Sequence, residues 1–229
     1  MALTSELWQA LWLTVRLAFV STFILLVAGI PLALWLNGRR SRLAAVLEAL
    51  VTMPIVLPPT VIGFYLLVLF APQRPIGEFW LRLTGDTLVF SFAGLVVGSV
   101  IYSLPFAVQP FQAAFKAVPK ACVDAATNLG ATRWHVFWTI LLPLARRGVG
   151  VGATLSFAHT LGEFGVVLML GGSIPGQTRV ASIALYDEVQ KLNYPQAHAY
   201  ALVLLAISFV LVLSMALLQR RGTDEHGSA

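Results

Sequence analysis

Four stretches of this chain, 17–36, 49–70, 87–115 and 199–218, each run for about 20 residues or more without one Asp, Glu, Lys, Arg or His. A helix rising 1.5 Å per residue needs about 20 apolar residues to cross the hydrocarbon of a bilayer. Charged residues make up 11% of the 229, where a soluble domain carries about 25%. The chain reads as an all-α, polytopic membrane protein.

Five spans are expected, at about 8–36, 46–70, 88–113, 148–171 and 197–219. Lysine and arginine gather in alternate loops. The first loop holds Arg39, Arg40 and Arg42; the third holds Lys116, Lys120, Arg133, Arg146 and Arg147; the tail begins with Arg220 and Arg221. The second loop has Arg74 and Arg82 and the fourth has Arg179 and Lys191, both balanced by acids. Cytoplasmic loops carry the excess of positive charge. The amino terminus is therefore expected outside, with the 114–147 loop and the carboxyl tail inside. A pI near 9.8 reflects this topology rather than a nucleic-acid partner. The single Cys122 builds neither a disulfide framework nor a metal cluster. The amino terminus lacks the basic start and short apolar core of a signal peptide and is expected to stay as the first span. In the fourth loop, 180–189 reads as a surface or re-entrant piece on the outer side. The polar tail, 222–229, is expected to be disordered.

The 114–147 loop carries the most specific pattern. Its segment DAATNLGATRWHVFWTILLP begins at Asp124. An alanine-rich helix should stop at Gly130, a residue suited to a left-handed cap. Trp134, Phe137, Trp138 and Leu141 then recur at helical spacing, forming one broad apolar face on an interfacial helix. Pro143 is expected to break that pattern before the fourth span. No GxxxxGK[ST] phosphate loop occurs, and Lys116, Lys120 and Lys191 have no Gly-rich approach.

This segment resembles the signature of the ABC importer permeases: an acid, two alanines, a glycine four positions on, then Ile-x-Leu-Pro after nine more. Asp124, Ala125, Ala126, Gly130, Ile140, Leu142 and Pro143 fit every gap, with Asp standing where Glu is usual. The resemblance implies a type I importer permease architecture, with a cytoplasmic coupling helix that docks on a separate ATPase. It also implies a homodimer of permeases, two ATPase subunits using ATP and magnesium, an extracytoplasmic oxyanion-binding protein, and the inner membrane of a prokaryote. This chain would itself be no enzyme and hold no cofactor. Residues 1–221 would form one permease domain. The segments 53–70 and 160–186 are similar to the molybdate branch of that family, with sulfate, thiosulfate and tungstate permeases as alternatives. A nucleotide-independent transporter or channel is the competing class. No HExxH or GxSxG motif argues for a hydrolase.

Pathway candidates are fewer. Pro54, Pro58 and Pro59 lack backbone donors, so the start of the second span should be irregular, either lining a cavity or merely kinked. His159 and Glu163, four apart, should share a face of the fourth span. Ionisable residues inside a membrane are costly and default to functional candidates. Pairing, gating and proton relay stand open for them. Ser156 and Thr160 offer neutral hydroxyls, to a substrate or to the preceding turn.

Overall fold

The computed structural model describes residues 5–39 and 41–223, with side chains to 216. Arg40 of the first loop and 224–229 of the tail lie outside the described residues. Eleven α-helices make up the described chain: α1 (Ser5–Asn37), α2 (Arg42–Val56), α3 (Pro59–Leu69), α4 (Pro75–Thr84), α5 (Phe92–Lys116), α6 (Lys120–Asn128), α7 (Arg133–Val136), α8 (Leu142–Leu161), α9 (Gly165–Gly171), α10 (Ala181–Gln190) and α11 (Tyr194–Thr223). A π-helical turn, Phe137–Leu141, joins α7 to α8.

Three helices, α1, α5 and α11, are long and apolar enough to cross a membrane by themselves. The pair α2–α3, and the helical body Arg133–Leu161 with α9, reach that criterion only together, bent by 117° and 60°. The five expected spans are therefore met only if each bent pair counts as one.

Local chemistry explains both bends. At 57–58 the chain is extended, with Leu57 at ψ 139° and Pro58 at ψ 136°. A residue preceding proline is pushed out of the α region, and this happens twice in succession here. Pro59 then sits at the start of α3, where its missing N–H costs nothing. The irregularity falls in the middle of the second span rather than at its start, because Pro54 is accommodated inside α2. In the fourth span the helix ends at Leu161 and restarts at Gly165.

Pro143 does not break the helix. Residues 133–161 continue as one helical body, and the widened turn before Pro143 carries the Leu142 N–H to Phe137 O. A π-turn shifts the hydrogen-bond register, which relieves the clash a proline otherwise makes with the preceding turn. The expected aromatic face is divided: Trp134 and Trp138 are exposed, while Phe137 and Leu141 pack on the core.

α1, α5 and α8 form the centre, packed pairwise. Phe111, Val108, Ala107 and Leu25 fill one end, and Leu95, Leu17, Val167 and Ile183 fill the other. Glycines set the spacing within the subunit. A methyl at Gly152 would come 2.6 Å from the Phe111 ring, and one at Gly148 would meet Ala114 at 2.5 Å. Gly98 likewise faces Leu170. α10 is a helix with Ala181, Ile183 and Ala184 fully buried. α11 contains the first two residues of the expected disordered tail.

Candidate functional site

The 124–143 signature occupies two environments. Asp124, Ala125 and Ala126 lie on α6, which has no buried residue. Pro119 precedes the helix, and Gly130, at φ +82°, turns the chain out of it. Gly130 N–H donates to Thr127 O at 3.0 Å, and Ala131 N–H to Ala126 O at 3.0 Å. Leu129 is 90% exposed, so the cap presents an apolar side chain to the outside. Ile140, Leu142 and Pro143 lie beyond, in the π-turn and the start of α8. Leu142 packs against the core cluster around Phe111, and α6 rests on the π-turn. A solvent-exposed helix is thus joined to the central helices through a short, well-packed turn.

The two helix breaks converge elsewhere. A cleft of about 480 Å³ is lined by Pro59 and Thr60 of α3, Tyr102 of α5, His159 of α8, and Gly162, Glu163 and Gly165 at the second break. His159 is stacked on Phe106, with ring centroids 3.9 Å apart, and its Nδ1 lies 2.9 Å from Ser103 Oγ. Ser103 Oγ also lies 3.0 Å from Thr160 Oγ1. Glu163 is 4% exposed, and both carboxylate oxygens lack a hydrogen-bond partner among the described residues. Ser99 stands beside it without completing a bond. The expected shared face of His159 and Glu163 does not form, because the helix ends between them.

An ion cluster closes the opposite region of the fourth loop. The Arg179 guanidinium, 10% exposed, reaches Asp187 at 3.2 Å, Glu188 at 3.5 Å and Glu6 at 3.5 Å. Glu188 also accepts from Lys191 at 2.9 Å and Asn193 at 2.7 Å. The Lys191 bond holds the Glu188 carboxyl below the usual range against the opposing effect of burial; Asn193 and Arg179 act with Lys191.

The family described as binding-protein-dependent transport system inner membrane component matches residues 26–223. The chain belongs to that family. As an inner-membrane transport component it is 49% identical over 206 residues to the molybdenum transport system permease protein ModB of Azotobacter vinelandii, covering 90% of this chain and 91% of the relative. It is 38% identical to ModB of Escherichia coli K12, over 83% of each chain. The sulfate transport system permease protein CysT of the same bacterium is 35% identical over 91% of this chain and 75% of the relative. Among solved structures, a bacterial ABC transporter involved in alginate import superposes with a TM-score of 0.76 at 20% identity, over 95% of this chain and 80% of that one. The MetNI methionine ABC transporter gives 0.63 at 20% identity, over 95% and 93%. These two structures support the fold.

Of the pathway residues expected for this transport component, Pro59 and Glu163 line the cleft. Pro58 is exposed at the break and sets the bend without lining the cleft. Ser156 is buried and donates to Gly152 O at 2.8 Å, and Thr160 is occupied by Ser103. Tyr102 and Thr60 line the cleft without having been singled out. Neither carries a charge or breaks a helix, so only the bends bring them to notice.

Proposed function

We propose that two copies of this chain form the gated pathway through which molybdate enters the cell, driven by ATP hydrolysis on separate subunits. The observation that carries the reading is the 124–143 signature, whose first part lies on a helix that has no buried residue among the described residues. A slim helix bearing Ala125 and Ala126, an αL exit at Gly130 and an exposed Leu129 make a plug for a groove on a partner. ATP and magnesium belong to that ATPase partner, and this chain performs no catalysis. Residues 1–221 act as one permease domain, with the amino terminus outside, and the 114–147 loop and carboxyl terminus in the cytoplasm. A soluble oxyanion-binding protein delivers substrate to the outer loops, at about 72–87 and 173–196.

Molybdate is the favoured cargo because the molybdenum permease of Azotobacter vinelandii is 49% identical along nearly the whole chain, against 35% for the sulfate permease. Tungstate, sulfate and thiosulfate are the alternatives. Glu163 is not a ligand for a dianion in its charged form, since like charges repel; its place at the second break suits a gate. The cargo is tested by reconstituting the permease, its ATPase and its binding protein in vesicles and measuring ATP-driven uptake. Molybdate should enter at least tenfold faster than sulfate at equal concentration. Equal rates, or faster sulfate, would overturn the assignment.

A further inference from the structure

Arg16 lies within α1 yet makes no ion pair among the described residues. Its guanidinium stands 4.5 Å over the Phe92 ring, and it lines a cavity of about 400 Å³ with Asp86, Thr87, Ser91 and Gln177. On the same side of α1, Trp8, Trp12, Phe19, Phe23 and Val27 are each more than 60% exposed. With Arg16 they recur at intervals of three and four, one continuous stripe. Counting from the α1 end at Asn37, beside Arg39 and Arg42, Arg16 is about 30 Å up the axis. That is the thickness of the hydrocarbon. With the hydrocarbon taken to begin at Asn37, Arg16 falls at the opposite headgroup level, with Phe19 and Phe23 at acyl depth and Trp8 and Trp12 on the headgroup side, where tryptophan belongs.

From this arrangement we infer that Arg16 and its cavity form a binding site for the phosphodiester headgroup of an anionic phospholipid, whose acyl chains lie along the α1 stripe. Three features support it. The guanidinium fork suits a phosphate, and such pairs are short and strong. Phe92 holds the cation in place by its ring face, leaving N–H groups directed elsewhere. Gln177 lines the same cavity and brings an amide donor without charge. Asp86 shares the cavity and opposes an anion; the net attraction comes from Arg16, so the site collapses without it.

The test uses the full chain in detergent, with lipid counted by native mass spectrometry as phosphatidylglycerol is titrated in. The wild-type chain should retain one phosphatidylglycerol more than Arg16→Gln, with affinity lowered about tenfold in the variant, and Arg16→Lys should fall between. Phosphatidylcholine of the same chain length should bind more weakly than phosphatidylglycerol. Gln177→Leu, a substitution at an exposed loop residue, should weaken binding several-fold even if Arg16→Gln fails to fold. Equal lipid retention in the wild type and both variants would overturn the proposal. So would displacement of the lipid by millimolar inorganic phosphate, which would mark a free-phosphate site instead.

Discussion

Gly165 and Pro59 touch: a methyl on Gly165 would stand 2.8 Å from Pro59 Cβ and 3.2 Å from the Thr60 nitrogen. The two places where spanning helices break are thereby held against each other, and Gly63 repeats the contact one turn along, where a methyl would lie 2.7 Å from Met169 Cβ. Gly165→Ala has no free space to enter, since its neighbours are a ring and backbone. Overpacking of this kind costs about 1–3 kcal/mol. Thermal unfolding in detergent should show a lowered midpoint for Gly165→Ala, and a larger drop for Gly165→Val. An unchanged midpoint for both would mean the breaks are not in contact.

Glu163 is buried, and neither of its carboxylate oxygens has a hydrogen-bond partner among the described residues. A buried polar group without hydrogen-bond partners is costly, so the residue is kept at the expense of stability. Glu163→Gln should leave the unfolding midpoint of the isolated subunit the same or higher, while slowing uptake by tenfold or more. A fall in stability of about 2 kcal/mol or more would instead make the carboxylate a structural residue.

Ser103 joins α5 to α8 through both His159 and Thr160. Ser103→Ala removes both bonds and leaves buried groups unsatisfied, at about 1–3 kcal/mol. Denaturant midpoints should shift accordingly, and Thr160→Val, which removes one of the bonds, should shift less. Equal stability of the wild type and Ser103→Ala would contradict the assignment.

The Glu188 carboxyl is held below its ordinary range by Lys191 first, with Asn193 and Arg179 assisting. A depressed carboxylate contributes stability that is present above the ordinary carboxylate value of about 4.3 and is lost as pH falls through the lower folded value. Unfolding midpoints measured from pH 7 downward should therefore drop less steeply in Glu188→Gln than in the wild type, with the two curves converging in acid. Parallel curves would show that the cluster contributes no such linkage.

The apolar helices and the short helix that stops at Gly130 were legible because their signals are local. Absence of charge over 17–36 is read directly, and the residues from Asp124 to Gly130 encode their own helix and its stop. The bends were only half legible. Pro58 and Pro59 announced an irregularity, but nothing in one sequence fixes a 117° turn, which depends on what α3 packs against. Pro143 misled because its cost is set by the preceding turn, and a π-turn there removes it. The helical face expected to carry both His159 and Glu163 is cut short because the helix ends at Leu161, and the two meet at one cleft instead. Tyr102 and Thr60 reach the cleft through tertiary packing alone.

Capture of the ATPase chain, together with ATP-driven uptake, tests the central claim most directly, using Ala125→Arg on the exposed face of α6. The account predicts a subunit present in the membrane at wild-type level that no longer retains the ATPase and no longer transports. Wild-type retention and uptake in Ala125→Arg would contradict it.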